Sequence, residues 1–238
     1  MYKQSIGIVG GFGAYATLNF YNMILEKFAT SCERNYPHIY FDNDFTMPSR
    51  TRALLYGEDY DKVVDQISIS VSKLSIIGSD VIMFACGTAH AFLADVMERV
   101  PESKDKILNM LTVTNNYIEN SVGKNQQVLI IAAEGMLKHR VWSNYCINVE
   151  CVEPTDKFYG EIRFFIEAVK QNNISTDVCD KFVKFIDSFC CKNIVLGCTE
   201  FPLLLKHMKK NGFEQWIEKR NFIDPIDIML DYLKVQLY

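Results

Sequence analysis

Short, mainly apolar runs alternate along this chain with longer stretches patterned for helices. The runs at 5–9, 38–41, 81–85, 107–111, 128–132, 146–152 and 193–196 read as strands. Helical patterns occupy 16–28, 60–77, 89–99, 142–145 with its flanks, 159–171, 177–189 and 202–209, and 225–237 reads as a closing helix. Strands without a polar face must be covered on both sides, as they are in parallel sheets joined through helices. The pattern predicts an α/β fold with mostly parallel sheets, in which ligands bind beyond the carboxyl ends of the strands.

Composition narrows the class. The chain has 238 residues, 49% of them hydrophobic, enough to bury a full core. The net charge is −4 and Lys and Arg are scattered, which argues against nucleic acid as a partner and leaves a small molecule. No apolar run reaches the roughly 18 to 20 residues of a membrane helix. The opening Met-Tyr-Lys-Gln-Ser leads straight into a strand rather than into a signal peptide, so the chain reads as cytoplasmic. Eight cysteines in a reducing compartment are expected to be free, and with no C-x-x-C spacing they do not suggest a structural zinc site.

Two strand ends stand out. Val81-Ile-Met-Phe-Ala-Cys86-Gly-Thr-Ala-His90 and Asn193-Ile-Val-Leu-Gly-Cys198-Thr-Glu200 each run from an apolar strand into a Cys, a Thr and a helix start. Their separation by nearly half the chain suggests an internal duplication. It places one lobe at 1–98 plus 210–238, carrying Cys86, and a second at 99–209, carrying Cys198. A thiol between a strand and a helix start meets unpaired backbone N–H groups, which favour the thiolate. The hydroxyls of Thr88 and Thr199 can hydrogen-bond a carboxylate, which the same helix ends also attract. Two such thiols suit inversion at carbon: one thiolate removes a proton and the other thiol delivers one to the opposite face, with no metal or cofactor required. The bland alternative is that both cysteines are core packing.

With these motifs in view, the sequence resembles the aspartate/glutamate racemase family, and within it the aspartate racemase branch. Ile6-Gly-Ile-Val-Gly-Gly-Phe-Gly-Ala-Tyr-Ala-Thr17 is similar to its Gly-Gly-Met-Gly-Pro-x-Ala-Thr opening. Met47-Pro-Ser-Arg50-Thr resembles Pro-x-Arg-Thr, Cys86-Gly-Thr-Ala-His90 resembles Cys-Asn-Thr-Ala-His, and Gly197-Cys-Thr-Glu200 matches the second cysteine motif; Ile223-Asp-Pro225 is a weaker match. The resemblance implies two similar α/β lobes related by a pseudo-twofold axis, an active site in the cleft between them, a homodimer, and catalysis without pyridoxal phosphate or any other cofactor. It implies Cys86 and Cys198 as the acid/base pair, with Cys198 acting on the L-enantiomer and Cys86 on the D-enantiomer. Gly11, Thr17, Arg50, Gly87, Thr88, Lys170 and Thr199 fall at its substrate-binding positions. Arg50 would grip a carboxylate with a planar fork and Lys170 would supply a point charge. Three departures bear on the substrate. Gly87 stands where the family has Asn, and Ala133 and Met136 stand where it often has Thr. They remove polar anchors and leave both thiols, so an amino acid other than aspartate, or a broad range, is open.

Other readings remain alongside. Gly11-Phe-Gly13-Ala-Tyr-Ala16 also fits a dinucleotide fingerprint, with Asp42 or Asp44 as its acid, or is simply a tight turn. His90 either tunes Cys86 as a relay or is a satisfied helix-start histidine. Glu200 either caps its helix or relays protons for Cys198. Arg52 reads as a surface charge, Cys190 and Cys191 as packing, and His38, His139 and His207 show no metal spacing. The competing functions are a degenerate relative that binds an amino acid without turnover, and a related isomerase or decarboxylase of a dicarboxylic acid.

Overall fold

A computed structural model describes residues 4–123, 126–146 and 148–237. The chain divides into two compact units, Met1–Val113 with Ile226–Tyr238, and Thr114–Pro225. The first begins with β1 (Ser5–Gly10), α1 (Ala14–Lys27), β2 (His38–Asn43), α2 (Arg50–Tyr56), α3 (Tyr60–Ile76) and β3 (Val81–Phe84). A 3-10 turn at Thr88–Phe92 then leads into α4 (Leu93–Arg99), and α5 (Met110–Ser121) carries the chain across the boundary. The second unit holds β4 (Gln127–Ile131), α6 (Glu134–Lys138), β5 (Glu150–Val152), α7 (Tyr159–Lys170), α8 (Thr176–Asp187), β6 (Asn193–Leu196), α9 (Glu200–Lys210), α10 (Glu214–Glu218) and β7 (Asn221–Ile223). Helix α11 (Pro225–Leu237) returns to the first unit.

Both sheets are parallel throughout their named strands, as the apolar runs predict. The first has the order β2-β1-β3 and the second β5-β4-β6-β7. In the first unit β1 alternates its faces. Ile6 and Ile8 pack with Phe20 and Ile24 of α1 and Met229 and Leu233 of α11. Val9 joins Ile82 and Phe84 against Val64, Ile67 and Val71 of α3 on the other face. Lys27 fastens α1 to α11 through Asp227 and Asp231, each at 2.7 Å. In the second unit Phe165, Phe182, Phe185 and Phe201 are buried, with Phe165 and Phe182 edge to face at 5.3 Å, joining α7, α8 and α9.

Several elements depart from expectation. The run 107–111 is not a strand: Ile107 makes a single parallel bridge to Ile82, and α5 starts at Met110. The carboxamide of Asn109 accepts hydrogen bonds from the N–H groups of Leu111 and Thr112, satisfying the helix start and overriding the apolar pattern. Residues 142–145 form turns, and the neighbouring helix is α6. Within 146–152 the strand is confined to Glu150–Val152, and Ile147 lies outside the described residues. The unit boundaries fall at 113/114 and 225/226 rather than at 98/99 and 209/210. The Ile107 bridge holds residues past 98 to the first sheet, while β7 pairs with β6 and keeps 221–223 in the second.

Candidate functional site

Each sheet has one place where the strand order turns. In the first, β1 is followed by β2 on one side and β3 on the other. In the second, β4 is followed by β5 on one side and β6 on the other. Loops leaving such neighbouring strands run apart and open a crevice at their carboxyl ends. The last paired residues are Val9 with Phe84 and Ile131 with Leu196. Cys86 stands two residues beyond its pair and Cys198 two residues beyond the other, so the two thiols occupy equivalent positions in equivalent crevices.

Around Cys86, the turn after β1 comes close. Gly11 has φ +83°, and a Cβ there would sit 2.0 Å from the carbonyl oxygen of Asp44, so only glycine fits. Phe12 of this turn packs in the cluster that holds Cys86 and Met47. Arg50 donates to the carbonyl oxygens of Phe12 (2.9 Å) and Pro48 (3.1 Å), and its guanidinium lies 4.9 Å from the Phe12 ring centre. Its Nε is buried without a hydrogen-bond partner, as is the hydroxyl of Thr17 at the start of α1. Unmet buried donors are costly, and a bound carboxylate is one way to meet them. Gly87 is in ordinary right-handed helical conformation (φ −59°, ψ −43°), and Thr88 is buried.

His90 is also buried, and its ring is fully engaged. Nδ1 lies 3.2 Å from the Cys86 carbonyl oxygen, and Nε2 accepts the N–H of Met110 at 3.2 Å. That pairing fixes the proton on Nδ1. Burial pushes the imidazole down to about 4, against smaller opposing effects of backbone hydrogen bonds. His90 thus braces the Cys86 loop as a neutral ring and has no nitrogen left to relay protons.

The Cys198 side differs. The Sγ of Cys198 lies 2.8 Å from Oε2 of Glu200, which also accepts from the Thr199 hydroxyl at 3.3 Å. Thr199 is the N-cap of α9 and makes no side-chain cap, while Glu200 stands in the first turn. Its buried side chain meets the thiol there, so the helix-start and thiol-partner placements coincide. Lys170, at the end of α7, is ion-paired to Glu167 at 3.0 Å. Burial lowers the Lys170 ammonium, but Glu200, Glu167 and Cys198 together outweigh it and hold the group above the ordinary lysine value. Lys170, although it comes from a distant helix, is thus near enough to feel the charge of Glu200 and Cys198. The sequence carried no signal for Trp142. A Cβ on Gly197 would sit 2.7 Å from its buried Nε1 and 2.9 Å from the Ala132 Cβ, so the strand end before Cys198 is fixed by the indole. Ala133 directly precedes α6, two residues past Ile131, level with Cys198 in the β4–β6 register. Met136 is fully buried.

The remaining candidates lie elsewhere. Asp44 accepts from the N–H and hydroxyl of Thr46, and Asp42 is 3.5 Å from Lys73, so both acids of the dinucleotide reading are engaged. Arg52 pairs with Glu58 on the surface. Cys191 is buried as expected, whereas Cys190 is exposed in a left-handed turn, φ 53°. Among the described residues, no group of three or more His, Cys, Asp or Glu is arranged for a metal ion, and no helix is long and apolar enough to cross a membrane.

Known proteins share this fold. A family model described as Asp/Glu/Hydantoin racemase matches residues 9–233. An aspartate racemase from Picrophilus torridus superposes with a TM-score of 0.78 at 22% identity, covering 98% of this chain and 94% of its own. An aspartate racemase homologue from Pyrococcus horikoshii gives 0.71 at 19% identity, with 98% and 99% covered. A glutamate racemase from Campylobacter jejuni gives 0.67 at 17%, with 98% and 85% covered.

Proposed function

The chain belongs to the Asp/Glu/hydantoin racemase family, and on that premise we propose that it inverts the α-carbon of an amino acid by proton transfer between Cys86 and Cys198. The observation that carries this reading is the equivalent placement of the two thiols, each two residues past the last pair of its switch-point strands. In one direction the Cys198 thiolate removes the α-proton of the L-amino acid and the Cys86 thiol protonates the opposite face; the reverse direction exchanges the roles. Glu200 takes the proton of the Cys198 thiol at 2.8 Å and prepares the thiolate. The first-turn N–H groups of α9 stabilise it further. No pyridoxal phosphate enters this scheme.

The substrate's carboxylates are met by Arg50 and Thr17, whose buried donors lack partners, and by Lys170 and Thr199. Gly11, Gly87 and Thr88 shape the loops around Cys86. Ala133 and Met136 carry no hydroxyl at positions where the resemblance has Thr, which favours a range of amino acids over aspartate alone. The proposal includes a homodimer working in the cytoplasm on a small-molecule substrate. The test is incubation with L- and D-amino acids in D₂O. Deuterium at the α-carbon with formation of the mirror-image acid is expected. Cys86→Ser and Cys198→Ser should each abolish inversion, and full activity in both would overturn the mechanism.

A further inference from the structure

In the first unit an open sheet edge and an exposed apolar patch lie side by side. Strand β2 ends the order β2-β1-β3 and, among the described residues, pairs with β1 alone, from His38 to Asn43. Its outer side therefore presents unpaired N–H and C=O groups, and the strand carries no proline, no lysine and no bulge to guard them. Tyr15, Leu18 and Tyr21 recur at every third position of α1 and share one side of that helix. Tyr21 packs edge to face on Phe41 of β2 at 5.4 Å, which joins the helix stripe to the strand. Phe45 extends the patch past the end of β2, where Asp44 lies against Gly11 ahead of α1. These five side chains are 36% to 60% exposed, which leaves roughly 450 Å² of apolar surface at about 150–250 Å² for a large side chain. Patches of that size on one chain are commonly binding sites. We propose that this face joins two copies of the chain about a twofold axis, with β2 pairing antiparallel to the partner's β2 and extending the three-stranded sheet to six.

This gives a face to the homodimer, which rests on the preceding reading, while the face itself rests on surface and topology. A stable interface takes about 800 Å² from each partner. The patch supplies about half, and the open strand with its flanks supplies the rest. Symmetry favours a second copy over a foreign strand. A twofold axis normal to the sheet sets the two edges antiparallel and keeps α1 on the same side as the partner's α1, so the two apolar stripes meet. Residues facing each other across the axis must then share a side of the sheet. The register centred on Phe41, the exposed apolar residue of the strand, sets it against the partner's Phe41. The same register puts Tyr40 opposite the partner's Asp42, a hydroxyl against a carboxylate, both on the side that packs on α3. Centring on Asp42 would instead face two carboxylates, which is unfavourable. The outer stripe of α3, with Ile69, Ile76 and Ile77, is exposed as well, but a helix has no open main chain to pair.

The test reads association and not turnover, so its failure and that of the two-thiol mechanism are separate results. The whole chain is sedimented over a concentration series and should reach the mass of two copies. Phe41→Lys and Leu18→Glu each place a charge on the face and should weaken the dimer by about 10-fold or more, with circular dichroism reporting that the variants are folded. Ile76→Glu on α3 should leave the mass unchanged. In the native protein, amide exchange along β2 should slow as the concentration rises and the dimer forms. A chain that stays single at every concentration overturns the proposal and leaves the face to another protein. So does a dimer that survives both charged variants, or one that only Ile76→Glu disrupts. Exchange in β2 that is equally fast in monomer and dimer overturns the strand pairing.

Discussion

The sulfur of Cys198 and the Oε2 of Glu200 stand 2.8 Å apart, at the start of α9, with the carboxylate 4% exposed. Replacing that carboxylate with its amide keeps the shape and removes the proton acceptor. Glu200→Gln is expected to lower kcat/KM by about 10²- to 10⁴-fold, the usual contribution of a positioned acid or base. Enantiomers have equal free energy, so the loss must be the same for the L- and D-substrate, although the carboxylate touches only one thiol. Initial rates in both directions by polarimetry check this, and unequal losses would contradict racemisation.

Gly197→Ala should cost stability and position together. Its methyl group would meet Trp142 Nε1 at 2.7 Å and Ala132 Cβ at 2.9 Å, both buried. Overpacking of this kind costs about 1–3 kcal/mol, measurable by urea denaturation. The shift is transmitted to the next residue, so kcat should fall more than KM rises.

Thr17→Val offers the opposite pairing. The hydroxyl is buried without a partner, so its removal should leave stability unchanged or raise it by about 1 kcal/mol. If it binds substrate, KM should rise about 2- to 10-fold, the value of one hydrogen bond. A stable variant with unchanged KM would remove Thr17 from the substrate site.

The pH dependence of stability carries the mark of His90. The ordinary value is 6.5 and burial lowers it to about 4 in the folded chain. As pH falls through 6.5, the unfolded chain takes up a proton that the folded chain refuses. The contribution is complete above 6.5 and lost between 6.5 and about 4, amounting to about 3 kcal/mol. His90→Gln keeps a donor and an acceptor but does not titrate. The native protein should therefore lose up to about 3 kcal/mol relative to this variant between pH 6.5 and about 4. Chemical denaturation at both ends of that window measures it.

Gly87→Asn tests the substrate range. Residue 87 is buried and in right-handed helical conformation, which Asn adopts without backbone strain; urea denaturation of the variant reads any cost of fitting the amide. The added amide should lower KM for acidic amino acids relative to neutral ones, read from a substrate panel.

The parallel sheets and both cysteine crevices were legible because apolar strands and the residues that end them are local signals. Helix α2 carried local signals too: Ser49 caps it through the Arg52 N–H, and Gly57 ends it at φ 71°. They were outweighed because the segment is short and only Ala53 is buried. The role of Asn109 was hidden by the apolar residues around it, and β7 is too short to show a period. The site was legible as residue types and illegible as partnerships. Neither the contact of Glu200 with the Cys198 thiol, the engagement of both His90 nitrogens, nor the nearness of Lys170 to Glu200 and Cys198 follows from spacing, since each depends on side-chain direction.

The equal offset of Cys86 and Cys198 from their last paired residues has a stereochemical consequence. A lone thiol that borrows a hydrogen from carbon can only hand it back from the side on which it stands, and the molecule's handedness survives. A second copy of the same strand end adds the other side. In a two-thiol reaction, repeating one motif is what turns simple isotope exchange into conversion of a left-handed molecule into a right-handed one.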